Sequence, residues 1–99
     1  MAVKILIKRK FKDGNLNAAS RLLINNRSGA MKQPGYISSE TLRSLDDPDR
    51  IVVVSTWQSI EDWEAWKNSE TREANVNEFK DYIIEQEEFE RYSLGLPIK

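Results

Sequence analysis

Residues Ile51 to Ser69, IVVVSTWQSIEDWEAWKNS, decide the fold, because they place an apolar strand directly before a capped helix. The β-branched run from Ile51, extended to Trp57, is typical of a strand buried on both faces and has an ordinary strand length. Ser59 is a preferred helix N-cap, and Asp62 stands three residues later, where a capping-box carboxylate belongs. The stretch therefore predicts a strand that is followed at once by a helix.

The predicted helix carries two of the three tryptophans, Trp63 and Trp66. They are three residues apart, and Lys67 lies four after Trp63, so these side chains fall on neighbouring faces of the helix. The two indoles either pack beneath the sheet as core or form the wall of a cavity. Aromatic residues at this spacing are more often core residues.

The composition describes an ordinary globular chain. Its 99 residues, 39% hydrophobic and 31% charged, suffice for one core, so we expect a single domain over residues 1–99. The net charge of −1 gives no overall attraction to nucleic acid. The chain has neither cysteine nor histidine. Disulfides, Ser-His and Cys-His nucleophile systems, and zinc sites built on these ligands are thereby excluded, and we expect no metal site.

The sequence also bears on the cellular location. The apolar stretch near the N-terminus is short and interrupted by Lys4 and Lys8, which does not fit a signal peptide. No segment approaches the roughly 20 apolar residues of a membrane helix. We therefore expect a cytoplasmic protein without a membrane partner.

The remaining elements follow from periodicity and turn residues. Helical spacing predicts a long helix from an Asn15 cap to about Met31, ended by the proline and glycine that follow Gln33, and a further helix after Ser69. The basic cluster of Lys8, Arg9, Lys10 and Lys12 is interpreted as a solvated strand end rather than as an anion-binding patch. The other predicted segments are strands at Val3–Arg9, Tyr36–Leu45 and Glu85–Leu94, and a loose tail at 95–99.

This order of elements is that of an α+β, ferredoxin-like βαββαβ sandwich with an antiparallel sheet, in which the first and third strands are central. The helices cover one sheet face. On the other face Val52 and Val54 form an apolar patch, to which Leu6 adds if the register is favourable. Because monomers rarely leave such a face to water, we expect a homodimer that packs sheet against sheet.

Three segments resemble the antibiotic biosynthesis monooxygenase (ABM) family of dimeric α+β barrel proteins: QPGYISSETLRS (33–44), IVVVSTWQSIEDWEAWKNSETR (51–72) and EEFERYSL (87–94). The resemblance covers nearly the whole chain. It implies a homodimer in which two ferredoxin-like sheets form an α+β barrel, with a pocket between sheet and helices in each subunit. Known relatives include cofactor-independent monooxygenases that oxidise polycyclic aromatic phenols to quinones, and haem-degrading enzymes.

The resemblance favours the first of these activities. Haem-degrading relatives use an Asn, Trp and His set, of which only Trp66 is matched here, and Asn75 and Val76 stand where the haem-ligating histidine belongs. In a cofactor-independent monooxygenase the substrate itself supplies the electrons that reduce dioxygen. The resemblance therefore implies that no cofactor is bound. A phenolate held in a dry pocket can react directly with dioxygen. The resemblance therefore implies oxidation of a small electron-rich phenol or quinol.

Six residues are candidates for such a site. Trp63 and Trp66 would stack on a small aromatic molecule, and Arg72 or Tyr36 would hydrogen-bond an oxyanion. Asn75 would orient a carbonyl. The candidate catalytic residues are Trp66, Arg72 and Asn75, and the candidate substrate-binding residues are Trp63, Tyr36 and Trp57. In the alternative interpretation the tryptophans are core, Arg72 and Asn75 are solvated, and the protein is a non-catalytic dimeric module that binds a small ligand or has a structural role.

Overall fold

In the part of the chain that the structure describes, four strands and three helices follow one another in the predicted order. The computed structural model describes residues 1–95. Of the predicted tail at 95–99, only Gly95 therefore lies within the described residues. The elements are β1 (Val3–Lys10), α1 (Leu16–Met31), β2 (Tyr36–Arg43), β3 (Arg50–Trp57), α2 (Ile60–Lys67), α3 (Glu70–Phe79) and β4 (Glu88–Ser93).

The strands form one antiparallel sheet in the order β2-β3-β1-β4, which confirms the ferredoxin-like fold. The two apolar strands, β1 and β3, are the central ones, since each pairs with a neighbour on both edges. Each also buries its inner face under the helices. The polar strands β2 and β4 lie at the edges, where charged side chains discourage further strand pairing. β2 ends at Arg43 rather than at Leu45, since the Ser44 hydroxyl accepts hydrogen bonds from the backbone N–H groups of the following turn.

Two of the three helix starts are capped as predicted. Ser59 accepts a hydrogen bond from the backbone N–H of Asp62 at 3.2 Å, and Ser69 accepts one from that of Arg72 at 3.2 Å. The predicted cap at Asn15 is wrong. Asn15 has helical backbone angles and makes no side-chain capping hydrogen bond, so α1 begins without this stabilisation.

The helices pack on one face of the sheet and bury two clusters of apolar side chains. The cluster beneath α2 contains all three tryptophans, and the other is centred on Phe11 and Phe79. Trp57, Trp63 and Trp66 are each at most 3% exposed. The strand-to-helix stretch at residues 51–69 therefore supplies the largest side chains of the core.

The opposite side of the sheet carries the expected apolar patch. The register pairs Leu6 with Val54 and Leu42 with Val52, so these four residues form a continuous surface, here called the outer sheet face. Leu6, Val52 and Val54 are half-buried, while Leu42 is 48% exposed. In residues 1–95, no helix has the length and apolarity needed to cross a membrane.

Candidate functional site

A cavity of about 30 Å³ lies between the helices and the inner face of the sheet. Its walls come from β1, β2, β3, α1 and α2. The volume is sufficient for one or two water molecules, whereas benzene occupies an apolar cavity of roughly 150 Å³. The cavity is therefore a small space that an aromatic ligand would have to enlarge.

Four of the six candidate residues line this cavity: Trp57, Trp63, Trp66 and Tyr36. The tryptophans are core residues and cavity walls at once, so the two interpretations of the indoles are compatible. Tyr36 meets Trp57 edge to face, with ring centroids 5.6 Å apart, and the indole N–H of Trp57 donates to Ser55 Oγ at 3.1 Å. These contacts fix one wall of the cavity.

The cavity reaches the surface between α1 and β2. Arg27 and Thr41, which line it, are exposed. Arg27 Nε and Nη2 donate to Ser39 Oγ and to the Ser39 carbonyl at 3.1 and 3.2 Å, and the Tyr36 hydroxyl lies 2.6 Å from Ser39 Oγ. These bonds join α1 to an edge strand, and we call this place the α1–β2 mouth.

The other two candidates lie on α3, away from the cavity lining. Asn75 is half-buried. Arg72 is only 4% exposed, so the alternative interpretation of Arg72 as a solvated helix residue is wrong. Its Nη2 donates to Glu87 Oε1 at 3.2 Å. Arg72 is thus part of a buried ion cluster with the segment that precedes β4.

Arg9 is a cavity-lining residue that the sequence interpretation missed. It was expected at a solvated strand end, yet it is 2% exposed. Ile5, Ile7 and Arg9 alternate along β1 and therefore share its inner face. This alternation was the available signal, since it places Arg9 among the helices. The guanidinium lies 4.7 Å from the centroid of the Phe79 ring.

Glu87 links the two buried arginines. Arg9 Nε donates to Glu87 Oε2 at 2.6 Å, and Arg9 Nη2 lies 2.6 Å from the same oxygen without the alignment of a hydrogen bond. The other carboxylate oxygen accepts from Arg72. Burial lowers the pKa of the Arg9 guanidinium below its ordinary value, while the charge of Glu87 opposes that shift and the charge of Arg72 adds to it.

Three of the residues that line the cavity also carry a buried polar atom that has no hydrogen-bond partner among residues 1–95. These atoms are Arg9 Nη1, Asn26 Oδ1 and Trp63 Nε1. Buried polar groups are almost always paired, and an orphaned group calls for an unseen water, ion or ligand. The residues that line the cavity thus include two unpaired donor atoms, one of them cationic, and one unpaired acceptor atom, each of them buried.

The comparisons with known proteins agree with this architecture. The sequence matches the model of the Antibiotic biosynthesis monooxygenase family over residues 2–83. A crystal structure of SnoaB, a cofactor-independent oxygenase from Streptomyces nogalater, superposes with a TM-score of 0.84 at 11% identity, covering 98% of this chain and 96% of that one. The structure of a putative antibiotic biosynthesis monooxygenase from Nitrosomonas europaea gives a TM-score of 0.85 at 20% identity, covering 92% and 88%.

Protein SchA of Streptomyces halstedii is 29% identical over 85 residues, which are 82% of this chain. This chain spans only about a fifth of that relative, 21% of its length. The fold is the α+β fold of these solved structures. The chain belongs to the antibiotic biosynthesis monooxygenase family.

Proposed function

We propose that this protein is a cofactor-independent monooxygenase that oxidises a small, electron-rich phenol or quinol with dioxygen. The observation that carries the proposal is a small cavity that is lined by three indoles and by one buried arginine, Arg9. Indoles provide apolar surface for an aromatic ring, and the guanidinium favours a negative oxygen beside it. The family and the likeness of fold to SnoaB support the same reaction type.

The reaction needs no external reductant when the substrate is a hydroxylated anthrone. Loss of a proton gives a phenolate, whose ring carbon donates electrons to dioxygen. A carbon–oxygen bond forms and yields a hydroperoxide. The second hydrogen then leaves that carbon as the O–O bond breaks, which gives a carbonyl group and water. One CH2 group and one O2 become one C=O group and one H2O, so atoms and electrons balance.

The cavity residues have distinct roles in this proposal. Trp57, Trp63 and Trp66 hold the aromatic ring and exclude water, which strengthens electrostatic interactions inside the site. Tyr36 places a hydroxyl at the α1–β2 mouth, where it can hydrogen-bond a substrate oxygen. Arg9 takes the oxyanion role that the sequence interpretation gave to Arg72, because Arg9 lines the cavity.

Arg72 then has an indirect role: it holds the Glu87 carboxylate, which in turn holds the Arg9 guanidinium. Asn75 has no role in this reaction.

Substrate access requires the α1–β2 mouth to open. β2 is an edge strand that pairs only with β3 in the described sheet. Arg27 ties α1 to β2 through two hydrogen bonds to Ser39. Since these bonds are exposed, each contributes little net stability. We propose that α1 and β2 separate here to enlarge the cavity for an aromatic ring.

The outer sheet face supports the proposal that the protein is a homodimer. Leu6, Val52 and Val54 are covered by no element among the described residues, although they lie at the centre of the sheet. A second copy packing its own outer sheet face here would bury them in an isologous interface. Val54→Glu is expected to give a monomer in analytical ultracentrifugation, whereas Ile24→Glu, on an exposed part of α1, keeps the wild-type mass. A wild-type mass of 11.5 kDa at micromolar concentration would contradict the homodimer.

Oxygen consumption tests the enzymatic proposal directly. Wild-type protein is expected to consume oxygen with a hydroxylated anthrone, and the quinone product is followed by its absorbance. Trp66→Ala is expected to lose most of this activity while keeping the wild-type mass. Ile24→Ala, at a side chain that is 63% exposed, serves as the matched control.

The same assay separates the enzyme from the non-catalytic binding module. Ligand-dependent thermal stabilisation without oxygen uptake, across a panel of phenols and quinols, would refute the monooxygenase and support the module.

A further inference from the structure

The edge-to-face contact between Tyr36 and Trp57 joins two side chains that can each be oxidised. Their ring centroids are 5.6 Å apart. Among residues 1–95, the other ring contact of a tryptophan is that of Trp63 with Phe89. Indole and phenol groups each lose one electron to a strong oxidant, whereas the phenyl ring of phenylalanine resists oxidation. In this part of the chain, Trp57 and Tyr36 are therefore the pair between which an electron can pass by direct ring contact.

This pair connects the core of the protein with the α1–β2 mouth. Trp57 is 1% exposed and belongs to the same cluster of packed side chains as Trp63 and Trp66. Tyr36 packs against that cluster but is only half-buried, and its hydroxyl lies 2.6 Å from Ser39 Oγ at the mouth. When Tyr36 gives an electron to Trp57, the oxidised side chain is therefore no longer in the core but beside the surface.

The surroundings of Tyr36 fit the release of its phenol proton. A phenol that loses an electron becomes strongly acidic, so the transfer needs a proton acceptor beside the hydroxyl. Ser39 Oγ is within hydrogen-bond distance and can accept this proton while its own hydroxyl hydrogen passes to solvent. Arg27 Nε donates to the same oxygen at 3.1 Å. The positive charge of Arg27 opposes the storage of a second proton there, so the proton leaves.

The surroundings of Trp57 differ from those of Tyr36. The indole N–H of Trp57 donates to Ser55 Oγ at 3.1 Å, and Ser55 is itself 6% exposed. No solvent reaches this N–H group to remove its proton. Loss of an electron from Trp57 therefore leaves a radical cation, which is a stronger oxidant than the neutral indolyl radical. Transfer of an electron from Tyr36 to Trp57 is favourable in this state, because only the Tyr36 proton can leave.

We propose that Trp57 and Tyr36 form an electron relay that carries an oxidising equivalent from the cavity to the α1–β2 mouth. This inference rests on the proposed function for the source of the oxidant, which is an organic peroxyl radical. Such a radical forms when superoxide escapes after the first electron transfer and the substrate radical left behind adds a second dioxygen molecule. The peroxyl radical takes one electron from Trp57, which lines the cavity, and becomes a peroxide anion.

Atoms and electrons balance along the relay. The Trp57 radical cation takes one electron from Tyr36, the phenol O–H bond breaks, and the proton leaves through Ser39. The peroxide anion takes up one proton and becomes the hydroperoxide of the proposed reaction. A thiol in solution then gives a hydrogen atom to the Tyr36 radical at the mouth, which restores the phenol and leaves a thiyl radical. The relay thereby protects the buried indoles from irreversible oxidation.

Laser flash photolysis of the protein alone tests the relay, without substrate or dioxygen. Light at the red edge of the indole absorption band ionises tryptophan and excites tyrosine little. In the wild type, the absorbance of the tryptophan radical is expected to decay while that of a tyrosyl radical rises with the same time constant. Tyr36→Phe keeps a ring beside Trp57 and is expected to abolish this delayed rise. Tyr92→Phe, at a side chain that is 52% exposed, is the matched control and is expected to retain it.

Two further variants test the two ends of the path. Ser39→Ala removes the proton acceptor and is expected to slow the delayed rise; an unchanged rate would overturn the proposed proton path. Trp57→Phe removes the electron acceptor and is expected to abolish the rise. If this core variant does not fold, Tyr36→Phe still decides the question. A wild type without a delayed rise would overturn the relay, and so would a rise that persists in Tyr36→Phe.

Measurements during turnover separate this inference from the proposed function. With a hydroxylated anthrone in air, Tyr36→Phe is expected to accumulate oxidised Trp57 faster per turnover than Tyr92→Phe, as measured by mass spectrometry of peptides. Equal accumulation in the two variants would overturn the protective role. Oxygen uptake by a protein that shows no delayed rise refutes the relay alone, while a delayed rise without oxygen uptake refutes only the monooxygenase.

Discussion

Gly29 of α1 has little room for a side chain, because Trp66 packs directly on it. A Cβ atom built at Gly29 would lie 2.8 Å from Trp66 Cη2, whereas ordinary van der Waals contact begins at 3.4 Å. In Gly29→Ala the indole must therefore retreat by about 0.6 Å, from 2.8 to 3.4 Å. Since Trp66 also lines the cavity, the cavity provides volume for that movement.

Two opposing effects set the stability of Gly29→Ala. Replacing glycine by alanine inside a helix stabilises it by about 1 kcal/mol. Overpacking a filled core costs about 1–3 kcal/mol. We therefore expect a net loss of about 0–2 kcal/mol in the free energy of unfolding, together with weaker binding of aromatic probes. Ser28→Ala, at the exposed neighbouring position, changes helix propensity without touching the indole and serves as the control.

Urea unfolding followed by circular dichroism measures the first quantity, and quenching of tryptophan fluorescence by 1-hydroxy-2-naphthoate measures the second. In the contrary outcome, Gly29→Ala is more stable than the wild type by about 1 kcal/mol and binds the probe equally well. The added methyl group would then not have displaced the Trp66 indole. That result would refute the close packing of Trp66 on Gly29.

Four further predictions concern the ion cluster, acid stability, a helix cap and the mouth. Glu87→Gln leaves two buried guanidinium groups without a carboxylate partner and is expected to lower the free energy of unfolding by about 3–5 kcal/mol. Arg72→Met should lower it much less. Equal effects of the two changes in urea unfolding would contradict the conclusion that one carboxylate serves both arginines. A hydrogen bond from Lys10 lowers the pKa of the Asp47 carboxyl. Its stabilising contribution is therefore present above the unfolded pKa of about 3.9 and is lost as the pH falls through the lower folded value. The stability difference between the wild type and Asp47→Asn should then shrink between pH 6 and pH 2, and a difference that grows on acidification would be inconsistent with this sign. Ser59→Ala removes the cap of α2 and should reduce stability by about 1 kcal/mol, as should Ser69→Ala for α3; unchanged urea midpoints in both would show that these hydroxyls do not cap. Arg27→Ala cuts the bonds across the α1–β2 mouth, so stopped-flow fluorescence should show faster probe association with little change in stability; an unchanged rate would place the access route elsewhere.

The fold follows from the sequence because its decisive signals are local. The β-branched run at residues 51–54, the Ser59 cap and the alternation in β1 each specify an element, and the contrast between apolar and polar strands specifies which ones are central. Asn15 shows the limit of such signals, since a preferred capping residue can remain unused when the backbone already has helical angles.

The site could be predicted only in part. The tryptophans and Tyr36 were candidates because large aromatic residues at helical or strand spacing are visible along the chain. Arg9 was not, since its burial depends on pairing with Glu87, which is 78 residues away and meets it only in the folded chain. A charged residue beside three lysines has the pattern of a solvated strand end, and the partner that allows its burial cannot be identified from local sequence.

Glu87 and β4 come late in the chain, yet they complete contacts begun by the first strand and by α2. Glu87 pairs with Arg9 of β1, and Phe89 packs edge to face on Trp63 with ring centroids 5.6 Å apart. The buried ion cluster and one indole of the cavity wall therefore depend on the same short segment. Neither can be complete until β4 has paired with β1.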